Sequence, residues 1–493
     1  MRRRLTGALV LALASVALVA AGCGGAKETA AAGGVPASAK QAPANALAYV
    51  SVDTDMTSAQ WTNAKALVSL FPSVGQAFTS GIDKALADDQ LDWATDVEPA
   101  LGRELVVVVT ADSKPLILLQ PKDAEKLDHL LESSRSDEMV KSSVGGWTVL
   151  AQHQAEIDAY SAALDRGSLE TTDTFAKAIG ALPDDALVKA WVDGAGLTEN
   201  LQKLAAGAEG LAGGAVPTPL SGAQLDGIDF DLESIAMALA ARENGLYVAV
   251  GARGGKLGNG THYEPKLFAK VPADAVAAIS FGGTQGTVDK LSAPLDKVSE
   301  TLESAVGVSL DKVMDAFSGE GVVYLRRGSG TAPEVTAVLS PPDADETLAT
   351  LDTVVRKLAE RSGGQVTQTT LDDIAVSRLD LQGVPLSYGK LDDDTLIVTI
   401  GSDAIAAFNG SSERLADSDA FKRAADEVGL ADRTAGFVYV DLDGLVPLIT
   451  GFTGEGAMPV EARDVLSKLD AFILQTSPED NGMQVSGFVR VNR

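Results

Sequence analysis

Apolar residues in this chain fall into short runs broken by turn residues, and the order of the runs repeats. The first series is LAYVSVD (47–53), ELVVVV (104–109) and PLILLQ (115–120). The second is VAAISF (276–281), GVVYLRR (321–327) and EVTAVLS (334–340). Period-two alternation or a continuous run of this length predicts a strand. Helical spacing follows each opening strand, near 57–87 and 286–317. A polar helix is expected after each strand pair, at 122–133 and 343–361.

The repetition tightens further along. SLETTDTFAKA (168–178) aligns with RLADSDAFKRA (414–424), matching Leu169 to Leu415, Asp173 to Asp419 and Phe175 to Phe421. A strand ending in Asp193 then matches one ending in Asp441. Each half closes with two strands around a turn, where Asn244-Gly245 and Asn481-Gly482 suit positive φ in tight hairpins. The openings match too: Pro43-Ala44-Asn45-Ala46 and Pro272-Ala273-Asp274-Ala275. Neighbouring strand runs joined by hairpin signals favour antiparallel pairing over a doubly wound parallel sheet. The expected fold class is α+β, two homologous halves, each a mainly antiparallel sheet with packed helices.

The N-terminus differs from all of this. Arg2, Arg3 and Arg4 precede an apolar run from Leu5 to Ala21, then Gly22 and Cys23, the single cysteine among 493 residues. A basic segment followed by an apolar one is a secretory signal. The small residues ending in Cys resemble the bacterial lipobox. That resemblance implies cleavage before Cys23, a lipid on its sulfur and an outward-facing, membrane-anchored protein. The expected organisation is a signal peptide at 1–22, lipidated Cys and flexible tether at 23–42, a first repeat at 43–268 and a second at 269–493. A Gly/Ala/Pro stretch at 205–228 reads as a surface loop.

Charge and composition narrow the function classes. Loss of residues 1–22 takes the net charge from −28 to −31. Such a chain repels nucleic acid and anionic membrane faces, so no nucleic-acid partner is expected. With no cysteine beyond Cys23, disulfides and thiol nucleophiles are excluded from the mature chain. Chain length alone supplies a core large enough to fold without staples.

The P-x-D/N-A openings, the strands ending in Asp and the Leu…Phe helices resemble, together with the lipobox, an uncharacterised family of bacterial envelope lipoproteins. That family is described only as a domain of unknown function. The resemblance spans roughly residues 43–493. Its motifs are apolar and structural, so it implies localisation and fold and carries over no catalytic residue.

Chemistry-bearing motifs are sparse. His129, His153 and His262 are far apart, which argues against zinc. Ser309-Leu310-Asp311-Lys312 fits S-x-x-K, but its companion motifs are missing and Ser309 reads as a helix cap. The Gly-rich run ending in Lys256 lacks the P-loop spacing. Asp229, Asp231 and Glu233 alternate on one strand face. Asp53 with Asp55, and Asp441 with Asp443, are oxygen-rich turns of the kind that hold hard cations, and equally of the kind that cap helices. All four tryptophans, Trp61, Trp93, Trp147 and Trp191, precede residue 200. Trp61, Trp147 and Trp191 are candidate ligand contacts, with packing as the competing role and Trp191 aligned to a core strand position. No cofactor is expected. The expected function is a non-catalytic, lipid-anchored envelope protein that binds a ligand or protein. A structural or chaperone-like role is the alternative, and a carboxylate hydrolase ranks last.

Overall fold

In a computed structural model, the described residues are 34–73, 75–76, 80, 86, 91–110, 115–133, 139–194, 232–254, 262–283, 308–309, 312, 315–327, 333–381, 383–401, 403–410, 413–453, 458–479 and 481–492. Cys23, the tether up to residue 33, the 205–228 stretch, Asp229, Asp231 and most of 286–317 lie outside them. The chain divides into two compact units, one drawn from Met1–Gly258 and Glu479–Phe488, the other from Asn259–Pro478 and Val489–Arg493.

The first unit is an antiparallel sheet built from β1 (Ala46–Asp53), β2 (Glu104–Thr110), β3 (Leu116–Leu119), β4 (Val140–Val144), β5 (Trp147–Ala151), β6 (Val188–Asp193), β7 (Leu232–Arg242) and β8 (Gly245–Gly254). Their spatial order is β4-β5-β3-β2-β1-β6-β7-β8. Helices α1 (Ala59–Leu70), α2 (Ala124–Ser133), α3 (Gln154–Leu164) and α4 (Asp173–Gly180) accompany it. Alternation along the strands loads both sheet faces. Tyr49, Val106, Leu118 and Trp191 meet Tyr160 of α3 and Phe175 of α4 on one side. Leu105, Ile117 and Leu119 meet Leu127 and Leu130 of α2 on the other. At ~1.5–3 kcal/mol per fully buried large apolar side chain, these two layers dominate the unit's stability.

The second unit carries β9 (Ala275–Phe281), β10 (Glu320–Arg326), β11 (Glu334–Ser340), β12 (Val366–Leu371), β13 (Ile374–Leu381), β14 (Val384–Lys390), β15 (Leu396–Ile400), β16 (Gly436–Asp441) and β17 (Leu469–Glu479). The order is β12-β13-β14-β15-β11-β10-β9-β16-β17, antiparallel throughout. Helix α5 (Ala344–Ser362) starts at Asp343, whose carboxylate accepts from Glu346 N at 2.8 Å, and ends at Gly363 with φ 70°. Val355 and Ala359 of α5 seat on Leu379, Leu386 and Tyr388. Helices α6 (Ala404–Asn409), α7 (Asp419–Val428) and α8 (Leu442–Thr453) follow. Among the described residues no helix is long and apolar enough to cross a membrane.

Removing β12 and β13 leaves seven strands in the second unit, β14-β15-β11-β10-β9-β16-β17, whose order and connectivity match the seven strands β4-β5-β3-β2-β1-β6-β7 of the first. The opening motifs also bond alike. In the first unit Ala44 N donates to Gly167 O (2.9 Å) and Leu169 N to Ala42 O (2.8 Å). In the second, Ala273 N donates to Glu413 O (3.0 Å) and Leu415 N to Val271 O (2.9 Å).

Several sequence expectations need correction. The boundary falls near residue 258 rather than 268, and residues 479–488 count with the first unit. There Gly254 N donates to Asn481 O at 2.8 Å, and Arg253 pairs with Glu479 at 2.8 Å. Sequence alone places residues 36–42 in the tether. They instead form a short 3-10 turn (Ala37–Gln41) whose Ala39, with Ala42 just beyond it, is fully buried in the first core. Small side chains were read as flexibility, yet alanine loses no side-chain entropy on burial and fits a tight space. Asn481 takes φ 61° as expected, whereas Asn244 and Gly245 do not enter the left-handed region.

Candidate functional site

The register of three strands brings polar groups to one end of the first sheet. Ser51 stands opposite Val106 on β2 and Lys189 on β6, and Asp53 stands opposite Glu104. Side chains two apart share a face, so Tyr49, Ser51 and Asp53 lie on the side covered by α3 and α4. Moving along that face, the core of Tyr49, Val106 and Trp191 gives way to Ser51, Lys189, Asp53 and Glu104.

Glu104 is the hub. Its Oε1 accepts from Ser38 Oγ at 2.6 Å and from Ser51 Oγ. Ser38 Oγ also bonds Tyr49 OH at 2.6 Å. Burial, and then the Glu104 carboxylate, push the Tyr49 hydroxyl well above its ordinary pKa of 10. Lys189 is buried, and that burial pushes its ammonium down, against the pull of Asp184, Asp185 and Glu104.

Ser38 and Glu104 of this network form the floor of a cleft of roughly 740 Å³, with Ser51 and Tyr49 bonded to them from beneath. Gln120 and Trp147 form a wall, and Arg103 and Lys122 stand on its rim. Trp147 starts β5 at a two-residue turn in which Gly145 and Gly146 take φ 59° and 81°. Only residues tolerant of the left-handed region make such a turn. Gln120 Nε2 donates to Gly146 O at 3.3 Å, which ties the turn to the wall. Gly102 allows the chain to approach β3 closely, since a Cβ there would sit 2.1 Å from Gln120 O. The rim cations have distant partners: Arg103 lies 3.8 Å from Asp55 and Lys122 3.9 Å from Glu98. Exposed pairs that long are weak and screened by solvent, leaving both cations available to a ligand.

The residues singled out from sequence divide sharply. Trp147 lines the cleft. Trp61 instead donates its indole N–H to Asp53 O at 2.8 Å. Trp191 is buried in the core, edge-to-face with Phe175 at 5.4 Å. The carboxylates serve local turns. Asp53 accepts from Asp55 N at 2.8 Å and Ser58 Oγ at 2.6 Å. Asp55 accepts from Thr57 N at 3.1 Å. Asp441 caps α8 by accepting from Gly444 N at 3.0 Å, and Asp443 accepts from Asn492 at 2.9 Å. Among the described residues no three His, Cys, Asp or Glu side chains are grouped to hold a metal ion.

Sequence reasoning missed Ser38, Ser51, Glu104, Gln120, Arg103, Lys122 and Lys189. The available signal was a polar residue at the start or middle of an otherwise apolar strand, as at Ser51, Glu104 and Lys189. The second unit places Ser280 opposite Val322, with Glu320 two residues before it. There Tyr263 OH bonds Ser280 Oγ at 2.7 Å, and Leu267 N donates to Glu320 at 2.6 Å. Tyr263 and the Leu267 amide thus occupy Ser280 and Glu320, which stand in the same register relation as Ser51 and Glu104 of the first unit.

Asp441 gives a pH prediction. Burial, then the nearby charges of Asp443 and Asp470, raise its pKa above 3.8 despite the Gly444 bond. The folded chain therefore holds this proton more tightly than the unfolded one. Stability falls as pH rises from 3.8 through the raised folded value. Asp441→Asn keeps an oxygen for Gly444 N and removes that fall. Urea midpoints from pH 3.5 to 7 should decline less in the variant, and parallel profiles would refute the assignment.

Three solved structures share a partial likeness, titled as crystal forms III, IV and I of TP0453. They are 14%, 13% and 13% identical and cover 44%, 44% and 45% of this chain, and 77% of each of those chains. Their TM-scores are 0.26, 0.25 and 0.24. The search of curated proteins finds no match. Residues 5–490, which include both openings, both sheets and the cleft, match one family along nearly their full length, and the chain belongs to that family, described as "Protein of unknown function (DUF3352)".

Proposed function

We propose that this chain is a lipid-anchored protein of the cell envelope that faces away from the cytoplasm and binds a ligand without transforming it. The cleft over Glu104 carries the binding half of this reading. It is concave, of ligand size, and combines one aromatic wall with a few fixed polar groups. Its serine hydroxyls are committed to Glu104, which suits a rigid recognition floor. The anchoring half rests on the signal pattern that ends in Cys23. The two units are read as products of one duplication, supported by the common strand order, the matched opening bonds and the equivalent Phe175 and Phe421. On that reading one copy kept an open cleft and the other filled it with Tyr263.

A second reading, a structural or chaperone-like envelope protein, draws on a different observation. Ile279, Val335 and Ile400 share one face of the second sheet and are 46%, 39% and 36% exposed. Apolar surface of that kind suits contact with another protein.

Native mass spectrometry of the full chain from its own host tests the proposal. Wild-type protein should begin at Cys23, bear the mass of a diacylglyceryl group and retain a small molecule. Cys23→Ser should lose the lipid and keep the small molecule. An unmodified Cys23 would sink the anchoring half, and a clean apo mass would count against the cleft and favour the second reading.

A further inference from the structure

We infer that the cleft of the first unit takes an acidic saccharide, a sugar carrying a carboxylate, with its ring against Trp147. This rests on the binding reading above and names its ligand class. The cleft is chemically polarised. Its floor accepts hydrogen bonds, because the Glu104 carboxylate has about four lone-pair sites and the two serines use only some of them. Its rim is cationic at Arg103 and Lys122, in a chain of net charge −28. Between floor and rim lie Trp147, half-buried with one edge on the core, and the Gln120 amide, which both donates and accepts.

A ligand matching all of these has hydroxyls at one end, an anion at the other and a flat apolar face between. A bare anion would use the rim alone and leave Trp147 and Glu104 without a role. A neutral sugar would use the floor and Trp147 but not the cations. An acidic sugar uses every group, with its carboxylate on the Arg103 guanidinium, which favours planar paired contacts. The volume of roughly 740 Å³ accommodates more than one sugar ring.

Two sources share this chemistry, a uronic-acid polymer and an ether-linked muramic carboxylate. Titration of the full chain in detergent with trigalacturonate, N-acetylmuramic acid, maltotriose and inorganic phosphate separates them. One acidic saccharide should bind, at least about 10-fold tighter than maltotriose, a ratio equal to 1.4 kcal/mol. Inorganic phosphate should not compete at equal concentration. The double variant Arg103→Gln/Lys122→Gln alters only exposed side chains and should lose about 10-fold for the acidic probe, leaving any weak maltotriose binding unchanged. Trp147→Ala should weaken both saccharides. Equal affinity for neutral and acidic probes, binding of neither acidic probe, or a double variant that binds as wild type would overturn the inference. A different molecule retained in native mass spectra would do so too, while leaving the broader binding proposal standing.

Discussion

Phe175→Ala should destabilise the first unit by about 3–5 kcal/mol, the usual cost of deleting a fully buried aromatic ring. Phe175 projects from α4 with no solvent exposure. Tyr49 of β1 meets it edge-on at 5.3 Å, and Trp191 of β6 at 5.4 Å. Edge-to-face pairs add ~0.5–1.5 kcal/mol each beyond area burial. The neighbours cannot collapse into the void easily. Tyr49 is tied through its hydroxyl to Ser38, and Trp191 lies on a central strand. The readout is specific, because Trp61, Trp93, Trp147 and Trp191 all belong to the first unit. Urea unfolding followed by tryptophan fluorescence should show the midpoint fall. A loss below ~1 kcal/mol would mean that the ring is not the keystone between α4 and the sheet. The variant should also loosen the Tyr49–Ser38–Glu104 floor, so ligand affinity should fall with stability.

The strands that build both sheets were legible because their apolar residues are contiguous in sequence and flanked by turn residues. LAYVSVD became β1, and EVTAVLS became β11, within a residue of expectation. Phe175 and Phe421 are each buried against an aromatic side chain of a strand. Phe421 packs edge-to-face on Tyr439 at 5.2 Å, as Phe175 does on Trp191. Trp191, a candidate ligand contact with packing as its competing role, sits in the core beside Phe175. The β12–β13 hairpin escaped notice because its first strand is polar (VTQTTL) and its turn is Asp372-Asp373, without glycine or asparagine. Both aspartates nonetheless take positive φ, 49° and 65°. The cleft was hidden for another reason. Ser38, Glu104, Gln120 and Trp147 come from four separate segments, and only strand register makes them neighbours. The acidic pairs stayed ambiguous in sequence because Asp beside a helix start has the same local sequence whether it caps the helix or holds a cation. Only the observed Gly444 and Ser58 bonds separate the two roles.

The second large effect belongs to a buried ion pair in the second unit. Arg326 and Glu334 stand opposite each other on β10 and β11, with side chains only 9% and 3% exposed. Arg326 Nε donates to Glu334 Oε2 at 2.9 Å and Nη2 lies 2.7 Å from the same oxygen, while Nη1 reaches Asp274 at 3.1 Å. The other Glu334 oxygen accepts from Asp403 N at 3.3 Å. Glu334→Ala leaves the guanidinium with the mostly exposed Asp274 as its remaining carboxylate and should cost about 3–5 kcal/mol. Arg326 also lines a cleft of roughly 640 Å³ through which water can reach it, which places the cost at the lower end of that range. The double variant Arg326→Met/Glu334→Leu should recover most of the loss. Replacing both charges by apolar groups of similar size removes the desolvation penalty along with the attraction. Far-UV circular dichroism during urea unfolding measures Glu334→Ala, the double variant and its two single parts, Arg326→Met and Glu334→Leu. If the double variant is as unstable as the sum of its single variants, Arg326 and Glu334 are not energetically coupled, and the ion-pair account of this site fails. If it matches wild type, the pair adds little net stability, and its role is to hold β10 and β11 in register opposite Asp274.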